Sequence, residues 1–184
     1  MQMAPATKSW TVAERDRLPD DGNRYEVVGG ELFVTPMPVP RHQEVVKRLF
    51  LPVHTFVEAH GLGSAYESGT DVILSEHDVV VPDVAVYTFR GDELPVRWSE
   101  APKPILVVEV RSDSTWRRDV GPKRRLYVAG EVPEYWIVND EARTVTVVRP
   151  GQEDVIVSDV LRWQPAGAPV PLEISLAGVF RGIV

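Results

Sequence analysis

The run Ile105-Leu106-Val107-Val108-Glu109-Val110-Arg111-Ser112 constrains this chain more than any other stretch. Five of its first six residues are apolar, three of those are Val, and Pro104 precedes them. Such a composition predicts a buried strand. Glu109 interrupts it, and an ionised carboxylate in apolar surroundings costs several kcal/mol unless something pairs with it. Strand side chains alternate, so Glu109 and Arg111 share one face while Val108 and Val110 take the other. A second acid has a similar setting, because Val79-Val80-Val81-Pro82-Asp83-Val84-Ala85-Val86-Tyr87 holds Asp83 between hydrophobic β-formers. Two acids so placed suggest a divalent cation between them.

The rest of the composition sets limits. A chain of 184 residues is expected to form one domain over its whole length, with a substantial core. Its apolar fraction of 43% and charged fraction of 26% are ordinary for a globular protein. No apolar run approaches the roughly 20 residues of a membrane span, and the start, Met1-Gln2-Met3-Ala4-Pro5-Ala6-Thr7-Lys8, lacks the apolar core of a signal peptide. Without Cys there is neither a disulfide framework nor a thiolate metal site. A cytoplasmic protein that does not contact membranes is expected. The net charge of −7 argues against indiscriminate binding of nucleic acid, though it leaves room for a local basic patch.

Along the chain, Thr11 and Glu14 have the spacing of a capping box for a short helix that Pro19 stops. Arg24–Val28 and Glu31–Thr35, separated by Gly29-Gly30, predict a hairpin, since two glycines accept the positive φ of a tight turn. Residues 41–60 look helical, with Val45, Leu49, Val53 and Phe56 on one stripe and a kink or break expected at Pro52. Two β segments follow, near Ser64–Leu74 and Val79–Tyr87, and then a surface loop over 88–104 containing Gly91. After the opening strand, a helix is predicted around Asp119–Ala129, with Pro122 in its first turn and Gly130 at its end. Glu134–Val138 and Thr144–Val148 form another hairpin, and a strand near Val155–Val160 precedes a proline-broken tail. The class is α/β or α+β, a mixed sheet with helices against it.

Asp83 and Glu109 offer the hard oxygens that Mg²⁺ or Mn²⁺ prefers. A metal held by two carboxylates and several waters suits phosphoryl chemistry, since it acidifies a bound water and neutralises charge on phosphate. Arg111 and Lys123 are the cations available beside it. Arg is a poor general base and suits a supporting role on phosphate. Lys123 suits the positioning of water, because positive charge nearby would lower its pKa. The alternatives are structural: Asp83 capping a turn or pairing with an Arg, and Glu109 in an ion pair with Arg111 or Lys123.

These residues also resemble a known family. Pro82-Asp83, Glu109-Val110-Arg111 with Ser112, Ser114 and Thr115, then Asp119 and Lys123, look like the PD-(D/E)XK nuclease superfamily. More narrowly the chain is similar to the Uma-two family of restriction-endonuclease-like proteins. That match includes Arg24-Tyr25-Glu26-Val27-Val28, Gly30-Glu31-Leu32, His42, Tyr127 and Val132-Pro133-Glu134-Tyr135-Trp136-Ile137-Val138. It spans roughly residues 10–150. The resemblance implies a restriction-endonuclease-like core, a mixed sheet flanked by helices with added N-terminal and C-terminal hairpins, that binds Mg²⁺ and hydrolyses DNA phosphodiesters. Asp83 and Glu109, with Val110, match its metal ligands. The superfamily's lysine two residues after the Glu is Arg111 here, and Lys123 matches the lysine that the narrower family carries on the next helix. Glu26 matches an early acidic position that either assists the metal through water or is a charged edge-strand residue.

The substrate side is more open. His42 either meets substrate or bonds the backbone at its helix start. Asp119 and Lys123, four apart, form by default a solvent-exposed pair. Residues 111–125 hold six cations against two acids, including Arg117, Arg118 and Arg124 as candidate DNA contacts, and Trp116 among them could stack on a base. Arg41, Lys47 and Arg48 extend that patch. Tyr135 and Trp136 belong to an apolar β run and are core or dimer-interface residues; symmetric cutting of duplex DNA would favour a homodimer. A catalytically silent module on the same fold, binding nucleic acid or protein, is the competing reading.

Overall fold

The computed structural model describes residues 9–35, 37–90, 94–112 and 116–183. Asp113, Ser114 and Thr115 of the motif, Gly91 of the loop and the first eight residues lie outside them. The chain begins with α1 (Val12–Arg15), closed by the reciprocal Thr11–Glu14 capping box. β1 (Arg24–Val28) and β2 (Glu31–Thr35) form the expected hairpin, with Gly29 and Gly30 at φ 60° and 76° in its turn.

Next comes α2 (Pro40–Ala59), which runs through Pro52 without interruption, so the expected break is absent. An interior proline costs about 3 kcal/mol. Burying each Val or Leu of the stripe Val45, Val46, Leu49, Val53 and Val57 returns about 1.5–3 kcal/mol, which outweighs that loss.

The two β segments expected over 64–87 are corrected to four strands: β3 (Ser64–Glu67), β4 (Val72–Ser75), β5 (Asp78–Val80) and β6 (Val84–Tyr87). β4 and β5 join the first hairpin in a four-stranded sheet ordered β2-β1-β5-β4. The chain then crosses at Val81-Pro82-Asp83 into the main sheet. Pro82 has no N–H to give to a ladder, so it marks the crossing.

The main sheet adds β7 (Leu106–Val110), β8 (Tyr135–Asn139), β9 (Thr144–Val148) and β10 (Val155–Val157), in the order β10-β9-β8-β7-β6-β3. β7 and β8 are parallel and every other pairing is antiparallel, which makes the sheet mixed as expected. The parallel pair needs a crossover, supplied by α3 (Trp116–Arg118), a π-helical turn (Asp119–Lys123) and α4 (Arg124–Ala129). The helix therefore starts earlier than expected, and Pro122 sits inside a widened turn. The tail is ordered: β11 (Val160–Trp163) and β12 (Leu172–Ser175) form the C-terminal hairpin, followed by α5 (Leu176–Val179).

Alternation along β7 separates two cores. Val108 and Val110 face α2 and the tail, with Trp136, Leu161, Trp163 and Phe180. Val107 faces Tyr127 of α4, with Tyr135, Ile137 and Val80. Tyr135 and Trp136 are both buried within this one chain. Among the described residues no helix is long and apolar enough to cross a membrane.

Candidate active site

A cleft of about 370 Å³ opens beside the start of β6 and the end of β7, lined by Arg24, Glu26, Asp83, Glu109, Val110 and Lys123, with His42, Arg41, Arg111 and Asp140 around them. Asp83 lies one residue before β6, and its N–H reaches the Val108 carbonyl at 3.1 Å, which holds it beside the end of β7. Its carboxylate takes three donors: the Val110 N–H at 2.8 Å and His42 Nε2 at 3.1 Å on one oxygen, and Arg24 at 3.2 Å on the other. Burial works against this charge, but the bond from His42 and the charges of His42 and Arg24 outweigh it, so the pKa of Asp83 lies below the ordinary carboxylate value.

His42 is the third residue of α2 and nearly buried. Its Nε2 also lies 3.1 Å from the Val110 carbonyl, which can only accept, so Nε2 carries the proton. Burial lowers its basicity, yet Asp83 and that carbonyl hold the pKa above the ordinary value. The helix-start histidine thus bonds both backbone and acid.

Glu109 has the opposite setting. Lys123 Nζ donates to Glu109 at 2.7 Å and to Glu26 at 2.8 Å, and approaches Asp119 at 3.7 Å. Tyr127 donates to the same Glu109 oxygen at 3.0 Å, and Glu26 accepts the Val81 N–H at 2.9 Å. Burial raises the pKa of Glu109 well above the ordinary value; Lys123 opposes this, while Asp119, Asp83 and Glu26 add to it.

Lys123 is 1% exposed. The expected solvent-exposed pair with Asp119 is corrected to a buried one, because the π turn directs both side chains inward. The expectation of an easily deprotonated lysine concerned the metal-bound cleft; the protein's own acidic groups around Lys123 act the other way. Burial pulls its pKa down, but Glu109, Glu26 and Asp119 overcome that and the net shift is upward. Glu26 is not on an edge strand, since β1 pairs with both β2 and β5.

Arg111 lines the cleft beside Glu109 but pairs with Glu141, with its guanidinium 5.5 Å from the Trp116 ring. Trp116 is thereby partly covered. The other predicted cations stand outside the cleft lining: Arg117 is exposed, Arg118 lies over the Phe33 ring and donates to Thr35, and Arg124 pairs with Asp154. Arg41 does line the cleft and pairs with Asp140, while Lys47 and Arg48 pair with Glu44. Sequence reasoning gave no role to Arg24 or Tyr127. Arg24 carried a signal, since on a strand it shares a face with Glu26 two residues on.

Among the described residues no three His, Asp or Glu side chains cluster as a metal cage. The cleft offers two carboxylates and a backbone carbonyl, a set that suits Mg²⁺, which keeps several waters. Four buried carboxyl groups, Glu26, Asp83, Glu109 and Asp119, outnumber the cationic side chains packed among them, Arg24, His42 and Lys123. A divalent cation would offset the acidic neighbours that help raise the pKa of Glu109, so the residues present fit one.

A mixed sheet with helices on both faces and an acidic cleft at the ends of its central strands defines a restriction-endonuclease-like protein. The chain belongs to the Uma2 family, whose model carries the description "Putative restriction endonuclease" and matches residues 12–179. Family membership supports a nuclease. Among solved structures, a crystal structure described as "a putative nuclease belonging to DUF820" from Anabaena variabilis ATCC 29413 superposes with a TM-score of 0.78. It is 21% identical and covers 95% of this chain and 99% of its own, a likeness that shows the fold. Comparison with curated proteins gave no match.

Proposed function

We propose that this chain is a metal-dependent endonuclease that hydrolyses DNA phosphodiester bonds. The observation carrying this reading is that Asp83, Glu109 and the Val110 backbone line one open cleft with Lys123. Those two carboxylates and the Val110 carbonyl would hold Mg²⁺ or Mn²⁺. The metal, when bound, supplies an acidified water and charge neutralisation at the phosphate. The chain's own residues do the rest. Arg24 and His42 fix Asp83 and the Val110 carbonyl relative to each other. Lys123, held between Glu109 and Glu26, orients water and stabilises negative charge. Glu26 and Tyr127 keep Lys123 and Glu109 in place. Arg111, at the cleft edge, contacts phosphate.

Asp83→Ala and Glu109→Ala should each abolish Mg²⁺- or Mn²⁺-dependent cleavage of DNA while circular dichroism shows an intact fold. Cleavage that survives both changes removes the assignment.

One observation favours a second reading. Both acids already have protein cations, Arg24 and His42 on Asp83 and Lys123 on Glu109, as a catalytically silent module on this fold would require. Calorimetry with Mn²⁺ separates the two. Saturable binding lost in Glu109→Ala supports the enzyme, and DNA affinity without metal binding supports the module.

A further inference from the structure

The β8–β9 turn supplies two successive acids to the cleft. Asp140, buried, pairs with Arg41 of α2 at 2.6 Å, and Glu141 pairs with Arg111 at the end of β7. All four residues line the cleft that holds Asp83 and Glu109. The two pairs differ in kind. Asp140 is 4% exposed and both Nε and Nη2 of Arg41 bond one of its oxygens, which builds that pair into the wall. Glu141 is 56% exposed while Arg111 is only 18% exposed and rests against Trp116. Here the cation is fixed and the anion is at the surface. The turn is itself held by Asn139, whose side chain accepts the Ala142 N–H at 3.0 Å, so Glu141 can leave without disturbing its backbone.

We infer that Arg111 is a phosphodiester-binding site whose place is taken, in the free protein, by the Glu141 carboxylate. A guanidinium that bonds a carboxylate presents the same fork of donors to a phosphate, which carries its charge on similarly spaced oxygens. With its carboxylate more than half exposed, Glu141 gains little by holding the pair, so an incoming phosphate displaces it at small cost. Glu141 then weakens the binding of every nucleic acid alike, because the contact reads backbone and not bases. The inference rests on the nuclease reading for its ligand class and adds a competing anion to it.

The test is fluorescence anisotropy with a labelled mixed-sequence DNA duplex in EDTA, measured against salt. Glu141→Gln should tighten binding about threefold and steepen the log–log salt slope by about one. Glu131→Gln, an equally neutralising change at an exposed glutamate beside Lys103, controls for net charge and should do neither. The gain should vanish when Arg111→Ala is added. Equal affinities for Glu141→Gln and Glu131→Gln, a gain that persists without Arg111, or no binding by any variant overturns the inference. Cleavage that depends on Asp83, combined with no gain from Glu141→Gln, leaves the nuclease standing and removes the competing anion. A gain in a protein that cuts nothing does the reverse.

Discussion

Asp83 and Glu109 line the same cleft, both nearly buried, and the fold treats them in opposite ways. Asp83 is surrounded by donors, Arg24, His42 and the Val110 N–H, and is held as a carboxylate. Glu109 shares one ammonium with Glu26 and Asp119 and is pushed toward its protonated form. The two acids are set apart by their surroundings: donors hold one below the ordinary carboxylate value, and burial among other acids raises the other. The difference teaches that two carboxyl groups in one cleft are tuned apart by how many donors each receives.

The largest effect should come from removing the shared ammonium. Lys123→Met leaves three buried acids without their partner, and breaking such a cluster costs about 3–5 kcal/mol; urea unfolding should show the midpoint fall accordingly. Asp83→Asn should cost about 2 kcal/mol by the same measurement, because Arg24 and His42 lose a charged acceptor. Tyr127→Phe, which removes one hydrogen bond to Glu109, should cost about 1 kcal/mol. Glu109→Gln should change metal-free stability least, by under about 1 kcal/mol, since it mimics the form its surroundings favour. Equal losses for Asp83→Asn and Glu109→Gln would break the comparison.

The same contrast appears against pH. The pKa of Asp83 is depressed in the fold, so its contribution is present above the unfolded value near 3.8 and is lost as pH falls through the folded one. That of Glu109 is raised, so its contribution is full below about 4.5 and is lost as pH rises through the folded value. Metal-free Glu109→Gln should therefore lose less stability than the wild type as pH rises above about 4.5, and Asp83→Asn should lose less on acidification below about 3.8. Denaturation midpoints across that range check both signs.

Much of the architecture was legible because local chemistry and tertiary packing agree. Gly29-Gly30 dictates its hairpin, and the Val-rich run around Glu109 dictates a central strand. Of the four strands within 64–87, β3 and β4 are divided by the polar, glycine-bearing stretch Glu67–Asp71, a break that a single β segment over 64–74 runs across, and only Pro82 marks the change of sheet before β6. The ordered tail was hidden by its prolines, although Leu161 and Trp163, two apart, carry a strand's alternation into the main core. Within the cleft, Asp83, Glu109 and Lys123 are brought together, but the burial of Asp119 and Lys123 depends on a widened turn that spacing cannot reveal. Nothing in the sequence joins Glu141 to Arg111, because that pairing exists only after β7 and β8 lie side by side.

The π turn at Asp119–Lys123 sets how far the amine travels from the strand it serves. It accommodates one peptide unit more than regular winding would use. Excising Gly121 would restore ordinary pitch, and because five units of the wide turn and four of a regular one each make about one revolution, Tyr127 would keep its phase toward Glu109. The extra unit is a spacer whose effect stays within the turn, where Asp119 and Lys123 sit.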